Sequence, residues 1–512
     1  MATMLHRTAT VAATGVLALA LLACNPNQSD DDGGNANEEP FIVARTADID
    51  GRDPATATAF QTVQTLDLVY DTLIETGDDG ELEPGLATEW EVSDDGRTVT
   101  LSLREGVTFH NGADLTAEDA KASLDRVLDP ETGSVVASNL GNVEEVVAQD
   151  DTTLVVQLAQ ADTALLNVLS LGGTAILDSD DISGGSVGRE VNGTGPFRWE
   201  SWEQGQQVTL SANEEYWGDV PALRTVELRV IPDESSILSG MRAGSFHLGV
   251  VTDPSVANQA GEDVEVQSQP TLSYHVLQLN AARGPLQDVR VRQAIACALD
   301  REQVVEQAYF GDGEVTGPIT SPAFEYDATD GLPCEAPDPE AARDLLSEAG
   351  YDDGLDLETI VMTGEYATAT SIAQSVQGQL EEIGVRLDLQ QQQTSVYVDN
   401  WLAANYDAAV ALNGGSTDPY LMYGRYFGVD ASLAAPAGLT DPGLQELLQQ
   451  GNSTTDEQER VDTFGQLQQE LLRLSPWVWL QQNQSYYLLG PDVEGFEALT
   501  TESLEYLAST SR

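Results

Sequence analysis

The hydrophobic pattern between Leu357 and Leu389 changes its period twice, and this change constrains the fold more than any other feature. Leu357–Met362 is typical of a strand. Ile372–Ile383 then carries apolar residues at helical spacing, and Gly384 ends that helix. Val385–Leu389 alternates again as a strand. A strand, a helix and a strand in this order predict a parallel strand pair with a right-handed crossover.

The first half of the chain mixes hairpins and helices. Trp90–Phe109 is predicted to be a β-hairpin, because alternating apolar residues flank the turn sequence Ser93–Gly96. A helix is expected over Thr116–Leu128, where Asp119 stands three residues after the capping threonine, as in a capping box. Leu154–Leu158 alternates as a further strand.

A second helix start in the later half completes the pattern. Asp338, Pro339 and Glu340 place a capping residue, a proline and an acid in order, and Gly350 ends the apolar stripe that follows. The chain of 512 residues is too long for one hydrophobic core. We therefore expect an α/β protein of two or more lobes.

The N-terminus has the pattern of a secreted lipoprotein. Arg7 precedes an apolar run, Val11–Leu22, that is too short to span a bilayer and is followed by Ala23 and Cys24. We predict a signal peptide over residues 1–23 and lipid attachment at Cys24. Residues 24–40 are almost entirely polar and are expected to form a flexible tether. Two acyl chains on one cysteine anchor a protein stably to a membrane.

The composition is strongly acidic. Asp and Glu total 85 against 22 Lys and Arg, so the formal net charge is −63. This charge excludes nucleic acid and anionic lipid head groups as partners. Self-repulsion of this size is relieved by screening, since the Debye length falls to about 3 Å in 1 M salt. We therefore predict a halophilic or salt-tolerant source.

Histidine and cysteine are too few for most catalytic or metal sites. Beyond the leader the histidines are His110, His247 and His275, widely separated, and none of the nucleophile, zinc or redox motifs occurs. We expect neither enzymatic activity nor a cofactor, and for His110 a packing role. If Cys24 is lipidated, Cys297 and Cys334 remain, which could form a disulfide or stay as two separate buried thiols.

Four stretches, in a fixed order, resemble the extracellular solute-binding proteins, family 5, that serve dipeptide, oligopeptide and nickel ABC importers. The resemblance covers almost the whole chain. The stretches are Leu86–Asp119, with its Arg-Glu-Gly-Val-Thr-Phe-His-Asn-Gly run; Gly193–Phe197 followed by Asn213–Gly218; Val289–Glu302; and Asp338–Tyr351.

The resemblance implies a two-lobed periplasmic-binding-protein-like fold that closes over a ligand by a hinge. Lobe I would take residues 41–275, with an inserted subdomain over roughly 66–190, and residues 487–512; lobe II would take residues 276–486. It also implies an extracytoplasmic monomer on the outer face of the cell membrane, which delivers a peptide or small-molecule ligand to the membrane subunits of an ABC importer.

The resemblance also indicates where the ligand binds. Dipeptide-binding relatives hold the ligand's amino group with an aspartate and its carboxylate with an arginine, and the matching positions here are Gly415 and Thr363. Asp418 lies three residues after the first and is a possible substitute. The predicted ligand-binding residues are Thr363, Tyr366, Tyr397, Trp401, Gly414, Gly415, Ser416, Asp418 and Tyr423.

The missing charged anchors leave the ligand open. A zwitterionic dipeptide would lose two charge-assisted contacts, each contributing roughly 1.5 to 3 kcal/mol. A longer peptide, a cationic or amphipathic solute and an oligosaccharide stacked on aromatic rings all remain. A nickel or metallophore carrier is a further alternative, for which His275 is the one candidate ligand, although strand histidines are more often packed.

Overall fold

The computed structural model describes residues 39–77, 80–262, 264–322, 324, 331–363, 368–429 and 431–512. The signal peptide, Cys24 and Tyr366 therefore lie outside the described residues. The strands are β1 Phe41–Arg45, β2 Ile74–Thr76, β3 Leu82–Pro84, β4 Ala87–Val92, β5 Thr98–Leu103, β6 Val143–Asp150, β7 Thr153–Leu158, β8 Phe197–Glu203, β9 Gln207–Ala212, β10 Thr225–Val230, β11 Leu248–Val251, β12 Glu265–Leu279, β13 Leu355–Thr363, β14 Val385–Gln393, β15 Ala408–Asn413 and β16 Trp477–Leu489.

The helices cover both halves of the described chain. They are α1 Phe60–Leu66, α2 Ala117–Leu128, α3 Leu165–Val168, α4 Ser179–Gly184, α5 Glu234–Arg242, α6 Pro254–Ala257, α7 Val289–Ala298, α8 Arg301–Tyr309, α9 Pro339–Glu348, α10 Ala369–Glu381, α11 Thr394–Leu402, α12 Pro419–Phe427, α13 Ala434–Ala437, α14 Pro442–Ser453 and α15 Glu457–Leu474. Within the described ranges, none of these helices is both long and apolar enough to cross a membrane.

One large mixed sheet organises the molecule, in the order β14-β13-β15-β12-β16-β11-β1-β10-β9-β8. β13 pairs in parallel with both β14 and β15, which confirms the parallel pair predicted from the change of period. A second sheet, in the order β4-β5-β7-β6, contains the predicted hairpin as antiparallel β4 and β5. The mixed α/β fold class is thus confirmed.

The long strands β12 and β16 connect the two ends of the large sheet. They pair antiparallel from Glu265 opposite Leu489 to Gln278 opposite Trp477, with register shifts after Pro270 and after His275. The later part of β12 pairs with β15, while the later part of β16 pairs with β11. Both strands therefore extend from the β14-β13-β15 end of the large sheet toward the β11-β1-β10 end.

The buried apolar side chains fall into separate clusters along this sheet. Among the described residues, two clusters draw on residues 274–480, and three draw on residues 41–264 and 486–507. Side chains of β16 alternate between faces, so that Trp477 and Trp479 enter one cluster while Val478 and Leu480 enter another. The boundaries of the two lobes stay a prediction.

Aspartate side chains begin many of the helices, because a carboxylate can accept the backbone N–H groups that a helix start leaves unpaired. Asp253, Asp338, Asp418 and Asp441 each accept such a bond and precede a proline in the first turn. At α2 the Asp119 carboxylate accepts the Thr116 N–H at 2.9 Å, which confirms the predicted capping box.

Cys297 and Cys334 form a disulfide that joins α7 to the segment before α9, with their Cα atoms 5.2 Å apart. Of the two alternatives left open by the sequence, the structure contains the bonded pair. Cys297 is buried within the cluster that α7, α9 and β13 share.

Candidate functional site

A cavity of about 510 Å³ is lined by residues from several separate parts of the chain, and we call it the central cavity. The α1–β2 segment and residues 500–508 contribute most of its wall, and β12 contributes Leu272 and Ser273. The loop between β15 and α12 contributes Gly415, Ser416 and Thr417. The lining residues are Phe60, Val63, Asp67, Tyr70, Asp71, Thr72, Glu75, Thr76, Ser170, Leu171, Gly172, Pro196, Tyr216, Leu272, Ser273, Gly415, Ser416, Thr417, Thr500, Thr501, Glu502, Ser503, Glu505 and Ala508.

Gly415 and Ser416 are the predicted ligand-binding residues that line this cavity. The backbone at Gly415 approaches β12 so closely that an added Cβ would lie 1.8 Å from the carbonyl oxygen of Leu272. Such a contact would force the backbone to move, so glycine is required there. The position that matches the ligand-binding aspartate of dipeptide-binding relatives therefore has no room for a side chain.

Asp418 follows the lining residue Thr417 but does not itself line the cavity, and its contacts are structural. It is fully buried, accepts the backbone N–H of Tyr420 at 2.8 Å as the cap of α12, and pairs with the guanidinium of Arg460 on α15. Asn167, from the first half of the chain, donates to the same carboxylate at 3.4 Å. Its oxygens are therefore already occupied.

The other described candidates lie in or near the cores. Tyr397 and Tyr423 are buried, and their hydroxyls donate to the carbonyl oxygens of Val410 and Pro318. Trp401 is half-buried, and its indole N–H donates to Gln278 Oε1 at 2.6 Å.

Thr363 ends β13, where its hydroxyl donates to the Gln392 carbonyl at 3.1 Å. Gly414 is exposed beside the cavity loop. Neither residue is part of the cavity wall, and a ligand contact for either stays a prediction.

The sequence interpretation missed the acidic residues of the cavity, which are Asp67, Asp71, Glu75, Glu502 and Glu505. The first three stand within a largely apolar run, Leu66–Glu75. That interruption was the available signal, because an acid within a buried segment faces either a partner or a cavity.

Asp71 is the most completely hydrogen-bonded of these acids. It is 7% exposed, and its Oδ2 accepts Thr194 Oγ1 at 2.8 Å and Trp217 Nε1 at 2.7 Å. Burial nevertheless raises the pKa of Asp71 to about 6.

Asp67 and Glu75 have fewer contacts. Neither side chain accepts a hydrogen bond from any other residue that the structure describes. Burial raises the pKa of Asp67 to about 7. Burial, and after it the charge of Asp71, raises the pKa of Glu75 to about 8. Burial likewise raises the pKa of Glu502 to about 7.

His110 and His275 are packing residues. His110 Nε2 lies 3.0 Å from the Gly195 carbonyl oxygen and Nδ1 accepts the Gly193 N–H at 3.4 Å, so His110 joins two of the recognised sequence stretches. His275 is buried on β12 with Nε2 2.9 Å from the Tyr309 hydroxyl. Burial lowers the pKa of both histidines to about 4. Among the described residues no group of three His, Cys, Asp or Glu side chains is placed to hold a metal ion.

Comparison with known proteins identifies the family. The model of the bacterial extracellular solute-binding proteins, family 5 (middle region), matches residues 81–432. The chain belongs to this family.

Curated relatives and solved structures agree with this assignment. The glutathione-binding protein GsiB of Salmonella typhimurium is 26% identical over 438 residues, which cover 80% of this chain and 82% of GsiB. The substrate-binding protein CtaP of Listeria monocytogenes superposes with a TM-score of 0.83 at 23% identity, covering 92% of this chain and 98% of CtaP. The binding protein DppA of Helicobacter pylori, in complex with the peptide STSA, gives a TM-score of 0.77 at 23% identity, with coverage of 92% and 98%.

Proposed function

We propose that this solute-binding protein captures a peptide or a small peptide-like solute in the central cavity and delivers it to the membrane subunits of an ABC importer. One observation carries the proposal: the central cavity of about 510 Å³ is bounded by segments far apart in the sequence, namely the α1–β2 segment, β12, the loop before α12 and residues 500–508. Cavities of a few hundred Å³ with polar groups on apolar walls are typical of sites for small ligands.

The relatives support the class of solute. GsiB is named for glutathione, and DppA was solved with a tetrapeptide, so related folds hold peptides of different lengths. Backbone N–H and C=O groups of a peptide can bond with the hydroxyl-rich wall formed by Ser416, Thr417 and Thr500–Ser503. Closure over such a ligand would favour the loaded form by contacts made only in that form.

The test is a thermal-shift and calorimetric screen of the purified chain against glutathione, di- to pentapeptides, nickel and oligosaccharides. We expect a peptide to raise the melting temperature, because a ligand at 100 times its Kd stabilises the folded state by about 2.7 kcal/mol. Ser416→Trp fills the cavity and should remove the shift. Ser183→Trp, at an exposed position on α4, should leave it unchanged. Binding of nickel or an oligosaccharide alone would contradict the peptide proposal.

We further propose that the chain is held to the outer face of the cell membrane by lipid on Cys24. The apolar leader that ends at this cysteine and the polar segment after it support the proposal. Cys24→Ser should release the protein into the medium with its ligand affinity unchanged. If that variant remains in the membrane fraction, the anchor lies elsewhere.

A further inference from the structure

The wall of the central cavity carries acids and no bases. None of the described residues that line it is lysine, arginine or histidine, whereas Asp67, Asp71, Glu75, Glu502 and Glu505 all contribute to it. Under the proposed function, this cavity is the ligand site. The carboxylates add information on the charge of the ligand.

The overall acidity of the chain does not account for these groups. Acidic residues that adapt a protein to high salt are expected on the surface, where water and counter-ions screen their charges. Asp71 is 7% exposed, and Asp67 is half-buried, with its Oδ1 so close to Gly172 that an added Cβ there would lie 2.3 Å from it. A buried carboxylate without a partner costs free energy. A cationic ligand that pairs with this carboxylate offsets that cost, and the offset favours binding.

The nearest base does not neutralise the group. The guanidinium of Arg104 lies over the Trp217 ring at 4.2 Å and donates to the Gly85 carbonyl at 3.2 Å. Its charge lowers the pKa values of Asp71 and Glu75 by less than burial raises them. The carboxylates of Asp67 and Glu75 remain available on the cavity side.

We propose that the solute carries an ammonium or guanidinium group, which binds the carboxylates of Asp67 and Glu75 in the central cavity. This inference rests on the proposed function for the site. In it, acids from the α1–β2 segment take the role that an aspartate at the Gly415 position has in dipeptide-binding relatives. The same charges disfavour an anionic solute that has no ammonium or guanidinium group to place beside them.

The inference predicts how binding depends on pH. The acidic groups that face this part of the cavity are Asp67, Asp71, Glu75, Glu83, Glu502 and Glu505, and the charge of Arg104 reaches Asp71 and Glu75. Because the pKa values of the first three are raised to between about 6 and about 8, part of the group is protonated at neutral pH. A bound cation favours the ionised form, so binding releases protons and affinity rises from pH 5.5 to pH 8.5.

The test is calorimetry with three probes: the tripeptide Ala-Lys-Ala, the uncharged N-acetyl-Ala-Gln-Ala-amide, and spermidine as a cation that is not a peptide. We expect Ala-Lys-Ala to bind about tenfold or more tightly than the uncharged peptide, since a charge-assisted contact of 1.5 kcal/mol or more corresponds to such a ratio. Asp67→Asn with Glu75→Gln should remove the difference. The matched control, Asp94→Asn with Glu144→Gln, neutralises two exposed acids outside the cavity and should preserve it.

Each outcome separates this inference from the function it rests on. Equal binding of both peptides, unchanged by the double variant, overturns the cation inference and leaves the peptide function standing. Binding of spermidine alone supports the cation inference and contradicts the peptide function. Binding of none of the three overturns both. Circular dichroism of the variants, together with the pH dependence of the unmodified protein, shows whether a loss of binding reflects the charge or the fold.

Discussion

The buried ion pair between Arg460 and Asp418 is predicted to contribute strongly to the stability of the fold. Arg460 pairs with the fully buried carboxylate of Asp418, and its Nε donates to Thr163 Oγ1 and to the Gly451 carbonyl, each at 3.1 Å. Arg460→Met keeps most of the side-chain volume but leaves Asp418 charged and without its cation. Breaking a buried pair in this way costs about 3 to 5 kcal/mol, because one charge remains desolvated.

We expect Arg460→Met to lower the free energy of unfolding by about 3 kcal/mol, at the lower end of that range, because Tyr420 and Leu421 still donate their backbone N–H groups to Asp418. Urea unfolding followed by tryptophan fluorescence measures the loss. Asp418→Asn added to Arg460→Met removes the stranded charge and should recover part of the stability.

An exposed ion pair provides the control. Arg386 binds Asp356 on neighbouring strands with both side chains more than half exposed, so Arg386→Met should leave the unfolding midpoint nearly unchanged. If Arg460→Met is no more destabilising than Arg386→Met, the buried pair of Asp418 and Arg460 does not stabilise the fold.

Three further predictions follow from the same structure. Reducing the Cys297–Cys334 bond should lower the free energy of unfolding by about 4 kcal/mol, because it opens a loop of 37 residues; an unchanged urea midpoint in reductant would contradict this. Asp67→Asn should stabilise the empty protein by up to about 4 kcal/mol at pH 8 but not at pH 4. Because the pKa of Asp67 is raised to about 7 in the folded protein, ionising this carboxylate costs no folding stability below about pH 4. The cost grows as the pH rises to about 7 and is constant above that pH. Equal gains in stability at pH 4 and pH 8 would refute the raised pKa. With a net charge of −63, the melting temperature should rise between dilute buffer and 1 M salt, and a constant value would contradict the prediction of salt adaptation.

Local pattern predicted the elements of the fold well, because the signals that define them lie within a few residues. The period change between Leu357 and Leu389 became β13, α10 and β14, and the Asp-Pro pair at Asp338 became the start of α9. The positive φ of Gly96 likewise confirms the turn expected over Ser93–Gly96.

The composition of the site could not be predicted in the same way. The role of Gly415 depends on the carbonyl of Leu272, which is distant in sequence and adjacent only after β12 and the loop before α12 have packed. Asp67 and Glu75 were hidden among 85 acids, and only the tertiary structure shows that they line a cavity while most acids face solvent. Tyr397 and Tyr423 have aromatic side chains suited equally to a core or a ligand wall, and the structure buries both.

We propose above that the chain carries one small solute in the central cavity, and native mass spectrometry of protein purified from its own host can detect that solute. We expect a single added mass of peptide size on the unmodified protein, with a basic or amino group in its fragments, and no added mass on Ser416→Trp. The proposal is wrong if the unmodified protein carries no solute and also fails to bind any peptide in the screen, or if Ser416→Trp retains the added mass.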